Sequence, residues 1–115
     1  MYSAVFLVLI DLGLLGDIIA AWREAGAPAI TIFDSVGTRE LDDFKHRDDL
    51  PLIPTIKDLI QEDDGPRKTM FAIVENDTVD SIIKATEETL GDLSEEGKGI
   101  LMVMQLAKVV GYRGS

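Results

Sequence analysis

Cysteine is absent from the 115 residues. That absence removes disulfides, thiolate zinc sites and thiol nucleophiles together, and it fits a reducing compartment. Histidine is nearly absent, His46 being the only one. Positive charge is scarce: 11 Lys and Arg stand against 21 Asp and Glu, for a net charge of −10 and a pI near 4.3. A phosphate backbone would repel such a chain, so nucleic acid is excluded as a partner. The chain also lacks an uninterrupted hydrophobic run with basic flanks. The apolar stretch from Ala4 to Trp22 contains Asp11 and Asp17, is broken by Gly13 and Gly16, and has no Lys or Arg before it. It therefore reads as a buried strand followed by a helix, not as a membrane span or signal peptide.

Apolar residues make up 46% of the chain. With this length they suit one domain, residues 1–115, with one core. Tyr2 to Ile10 is a continuous apolar run of strand length, and Asp11 stands where a helix cap belongs. From Leu12 to Ala25 the residues Leu15, Ile18, Ile19 and Trp22 form one helical stripe, with Trp22 as a core anchor and Gly26 and Pro28 as the stop. Ala29 to Phe33 reads as a second strand and Lys68 to Val74 as a third. Asn76-Asp77-Thr78 reads as turn and cap for a helix whose apolar face holds Val79, Ile82, Ile83, Thr86 and Leu90, closed by Gly91. Ile100 to Leu106 is the fourth strand, and Ala107 to Ser115 has no clear period.

The order is β-α-β-β-α-β. It predicts an α+β, ferredoxin-like sandwich: a four-stranded antiparallel sheet with two helices on one face. Helices on one face leave the other bare, yet strands one, three and four are apolar on both sides. Strand one, for example, sets Phe6 and Val8 against Val5 and Leu7. At roughly 1.5–3 kcal/mol per large side chain, leaving that second face wet would forfeit on the order of 10 kcal/mol, as much as a whole domain's stability. Packing on another copy of the chain is the expected solution. The alternative is that the long loop folds back over the sheet with its own apolar residues, Leu50, Leu52, Ile53, Ile56, Leu59 and Ile60.

That loop, Thr38 to Arg67, joins two strands that should be hairpin neighbours and is far longer than such a connection requires. It is acidic, holds three prolines counting Pro66, and contains one weakly amphipathic stretch, Thr55 to Glu62. A loop of this kind on a rigid scaffold can present different shapes to a partner. Its carboxylates Asp42, Asp43, Asp48, Asp49, Glu62, Asp63 and Asp64 read as solvating or partner-facing, because a hydrophilic loop does not supply the desolvation an acid-base catalyst needs. A metal at His46 is opposed by Lys45 and Arg47 beside it. Met1, Met70, Met102 and Met104 read as core filler. Gly97-Lys98-Gly99 can turn successive N–H groups toward one anion with an ammonium alongside, the elements of a phosphate cradle.

The layout as a whole, with Ser35-Val36-Gly37-Thr38-Arg39 at the loop base and Glu95-Glu96-Gly97-Lys98-Gly99 before strand four, resembles the PII signal-transduction family (nitrogen regulatory protein P-II) in its PII-like branch. The loop base keeps one glycine of the family pattern and displaces its basic residue. The second motif has an acid where the family's first glycine stands. The C-terminal arginine pair is not reproduced, since Val109 to Gly111 occupies that region between Lys108 and Arg113. No tyrosine lies between Thr38 and Arg67 to match the one that enteric members modify. The resemblance implies a cytoplasmic homotrimer that is not an enzyme. It implies an adenine nucleotide (ATP, ADP, AMP or a cyclic form) or similar anion bound at intersubunit clefts, and a T-loop that engages a membrane transporter or metabolic enzyme. Carried over residue by residue, the ligand-binding set is Gly37, Thr38, Arg39, Gly97, Lys98, Gly99, Lys108 and Arg113, with no catalytic or metal residues. These departures point to a PII-like and not a typical PII protein, and 2-oxoglutarate binding and nitrogen sensing are not carried over from the resemblance.

Two other classes compete. A small ferredoxin-like oligomeric enzyme would want His, Tyr or Arg on its sheet, whereas the strands offer only Tyr2, Ser3, Thr31, Thr69 and Gln105. A CutA-like metal-binding protein shares the trimeric plan but has no such long insert. A pure assembly protein without a small ligand completes the set.

Overall fold

The computed structural model describes residues 1–37, 67–95 and 97–113. The elements are β1 (Tyr2–Leu9), a 3-10 turn (Leu12–Leu14), α1 (Leu15–Ala25), β2 (Thr31–Ser35), β3 (Arg67–Glu75), a second 3-10 turn (Asn76–Thr78), α2 (Val79–Leu90) and β4 (Ile100–Gln105). The sheet order is β2-β3-β1-β4, and every pair is antiparallel. This is the ferredoxin-like βαββαβ arrangement that the element order predicts. The expected insertion between β2 and β3, with its Thr55 to Glu62 stretch and His46, lies outside the described residues as far as Pro66. No described helix is long and apolar enough to cross a membrane.

Local chemistry sets the boundaries. The Asp11 carboxylate accepts the Gly13 N–H at 3.0 Å, which caps a 3-10 turn, so α1 proper starts three residues later than the apolar pattern suggests. Gly26 ends α1 in the left-handed region at φ 116°, its N–H bonding Arg23 O at 3.1 Å while Ala27 N–H bonds Trp22 O at 3.0 Å. Before α2 no side chain caps the helix. The Asn76 side chain is used elsewhere, accepting from Ser3 Oγ at 2.7 Å. Strand β2 runs to Ser35, not Phe33, because its ladder continues through polar residues. Asp34 pairs with Lys68 across the strands, and Ser35 shares a 2.8 Å hydroxyl contact with Thr69.

Pairing of Val5 with Ala72 and Leu7 with Met70 puts these side chains on the helix face, with Leu9 and Val74. They pack against Ile18 and Trp22 of α1 and Ile82 and Leu90 of α2. One polar contact is sealed inside: Trp22 Nε1–H donates to Thr86 Oγ1 at 2.9 Å, and that hydroxyl donates to Ile82 O at 2.7 Å. Trp22 and Thr86 are both fully buried. The opposite face is apolar but uncovered by any described element over most of its area. Phe6 stacks on Phe71 with centroids 5.1 Å apart, Phe33 meets Phe71 edge-on at 6.4 Å, and Ile100, Met102 and Met104 are 58%, 45% and 49% exposed.

Thr86→Val, nearly equal in volume, leaves the Trp22 N–H buried without an acceptor. We expect a loss of about 1–3 kcal/mol in urea unfolding followed by emission of Trp22, the single tryptophan.

Candidate functional site

At the end of the sheet from which the long loop departs, the chain encloses a recess of about 460 Å³. Its apolar wall is Val8, Ile10 and Ile100; Ser35, Val36 and Gly37 form one rim, and Arg67 and Thr69 of β3 another. Hairpin register creates this juxtaposition, since Ser35 pairs with Arg67. The Arg67 guanidinium lies directly on the Gly37 backbone: a Cβ at Gly37 would sit 1.4 Å from Nη1 and 2.6 Å from Cζ. A side chain at position 37 would displace the guanidinium, the far end of a flexible side chain, from this place. The recess thus combines an apolar wall, suited to a flat ring, with a cation and a hydroxyl on its rim.

The Gly97-Lys98-Gly99 turn abuts the same end. Gly99 has φ 118° and lies so close to β1 that a Cβ would stand 2.8 Å from Val8 O. Gly97 has φ 83° and open space around it. The Lys98 side chain lies over the end of α2, where a Cβ on Gly91 would be 3.7 Å from Nζ. An ammonium is favoured there by the negative end of the helix dipole. Upstream, Asp92 accepts the Ser94 hydroxyl at 2.7 Å and the Ser94 N–H at 2.9 Å. These bonds hold its carboxyl below the usual carboxylate range.

The sequence-derived candidates fall into separate groups. Gly37, Gly97, Lys98 and Gly99 share one end of the sheet. Lys108 and Arg113 belong to the segment after β4, tied to the other end through Leu106 N–H to Tyr2 O at 3.0 Å. The length of β1, roughly 25 Å at about 3.3 Å per residue, separates the groups within one copy. Thr38 and Arg39 lie outside the described residues. Arg67 and Thr69 were not among the candidates. Their signal was the register itself, a cation and a hydroxyl opening β3 opposite Ser35. Among the described residues no cluster of three His, Cys, Asp or Glu could hold a metal ion.

The fold and this recess define a ferredoxin-like α+β protein with a recess where β2 ends and β3 begins. No family model and no curated protein sequence matches the chain. Solved structures do. Arabidopsis thaliana PII bound to citrate superposes with TM-score 0.60 at 18% identity, over 91% of this chain and 77% of that one. B. subtilis GlnK superposes with TM-score 0.59 at 14% identity, over 92% and 85%. The chain therefore has the fold of the PII proteins, as the resemblance in its sequence implied.

Gly99→Ala meets main-chain atoms and an unfavourable φ, and should cost about 2–3 kcal/mol in thermal or urea unfolding. Gly97→Ala meets only the φ, and should cost roughly 1 kcal/mol.

Proposed function

We propose that this chain is a PII-like regulatory protein, not an enzyme. Copies of it assemble through the open sheet face, most simply as a trimer. The recess at the loop base, completed by a neighbouring copy, takes an adenine nucleotide or a similar anion. The observation that carries this reading is the placement of Arg67 on Gly37, beside an apolar wall and against the Gly97-Lys98-Gly99 turn. An adenine ring suits the wall of Val8, Ile10 and Ile100, and phosphates suit Arg67, the turn's N–H groups and Lys98 once its flexible side chain swings from Gly91. The separation of Lys108 and Arg113 from this end also favours an intersubunit site, because those cations serve the recess only from another copy. Citrate bound to the Arabidopsis protein is a small polyanion taken by the same fold.

Ligand occupancy would then be read by the segment that starts at Thr38 and returns at Arg67, since both anchors of that segment line the recess. A ligand gripping Gly37 and Arg67 favours one arrangement of what lies between them, by as much as its affinities for the arrangements differ. The partner engaged by that loop is a protein, with a membrane transporter or a metabolic enzyme as the class and the cytoplasm as the place.

Isothermal titration with ATP, ADP, AMP, cyclic AMP and cyclic di-AMP, with and without magnesium, tests the site. Micromolar binding of one of them, weakened about tenfold or more (~1.4 kcal/mol) by Arg67→Ala or Lys98→Ala, is the expected result. No binding across the panel overturns it in favour of an assembly protein without a small ligand. Sedimentation equilibrium tests the oligomer, with three chains per particle expected and a monomer at micromolar concentration refuting it.

A further inference from the structure

Beyond β4 the chain does not simply leave the sheet. Leu106 N–H closes the last tie of the ladder on Tyr2 O at 3.0 Å. The following residues then pass the N-terminal end of β1 and reach β3, which lies on the other side of it in the strand order. Gly111, at φ 88°, makes the left-handed turn that brings the next residue back against the sheet. There the Tyr112 hydroxyl donates to Ile73 O at 3.1 Å, and its ring meets that of Tyr2 edge-on, with centroids 4.9 Å apart at 67°. Together they tie down a segment that has no regular secondary structure.

The place of attachment matters. The β2–β3 ladder ends at the Thr31–Phe71 pair, so Ile73 sits on a stretch of β3 beyond the reach of β2. An unpaired stretch of strand is a template for another chain. Tyr112 occupies a main-chain acceptor on that stretch, and its ring stands beside the strand.

We propose that residues 106–113 form a strap and that Tyr112 is its latch, guarding the free end of the β3 edge against pairing with a strand of a second copy. The guard keeps self-association off this edge, whatever the sheet face does. The donor survives across the neutral range. Burial, then repulsion of a phenolate by the ionisable Tyr2 phenol and the Glu75 carboxylate, hold the Tyr112 phenol above its ordinary value, and a raised value keeps the proton on. The latch is therefore intact below about pH 10 and is lost as pH rises through the raised value.

The test uses the full chain and needs no ligand. Tyr112→Phe removes the hydroxyl and keeps the ring; Gly111→Val strains the turn and touches neither ring. Far-UV circular dichroism and Trp22 emission check that each variant is folded. Tryptic cleavage after Lys108, an exposed residue of the strap, should become at least about fivefold faster in both variants. Amide exchange in residues 72–75 should rise, and sedimentation velocity should show species larger than those of the unmodified chain, growing with concentration. Cleavage and exchange unchanged in both variants would overturn the latch. Faster cleavage without any larger species would overturn the guard. The strap carries Lys108 and Arg113, which the proposed ligand site would draw from a neighbouring copy, so nucleotide titration is a separate readout: cleavage, exchange and sedimentation decide the strap whatever the titration shows.

Discussion

Strand β1 is hydrogen-bonded along both edges and apolar on both sides, and the need to remove it from water places every other element. On one side Val5, Leu7 and Leu9 require a helical layer, and two amphipathic helices supply it. They arrive there because each follows a central strand, α1 after β1 and α2 after β3. Within that layer the Trp22 N–H and Thr86 hydroxyl satisfy each other, so the largest core side chain brings its polar atom inside without leaving it unpaired. On the other side Phe6 and Val8 extend into a surface shared with Phe71, Phe33 and the methionines of β4. An exposed apolar surface of this kind is what an assembly of copies would cover.

The two ends of the sheet are used differently. At the loop end, three connections converge: the turn after β1, the β2–β3 hairpin base, and the turn before β4. This follows from antiparallel topology, which returns every second connection to the same edge of the sheet. The recess with Arg67 on Gly37 is a product of that convergence. At the opposite end Ser3, Asn76 and Gln105 form a small polar network, and the segment after β4 is fastened by Tyr112. Lys108 and Arg113, in the segment after β4, lie at that end and away from the recess within one copy.

The proposed functions divide along the same axis. The proposed anion site would draw on Arg67 beside Gly37 and the Gly-Lys-Gly turn at one end, and the proposed strap on a phenol whose proton is retained at the other.

The element order, the apolar faces and the helix stops were legible in the sequence, because each is a local property: alternation along a strand, a stripe along a helix, a glycine where φ turns positive. The apolar character of the second sheet face was legible too, since strands one, three and four carry apolar residues at both parities. Boundaries were less so. Strand β2 extends through Asp34 and Ser35 because Lys68 and Thr69 answer them across the hairpin, and a strand does not carry its partner's identity. Of the candidate glycines, Gly97 and Gly99 have the positive φ that is intrinsic to glycine and could be suspected from the Gly-Lys-Gly turn. Only the tertiary structure decided that Arg67 covers Gly37, that Lys98 turns to the end of α2, and that Tyr112 reaches Ile73. Each of those contacts joins residues far apart in the chain or selects one side-chain direction among several, and strand register and packing, not local composition, determine both.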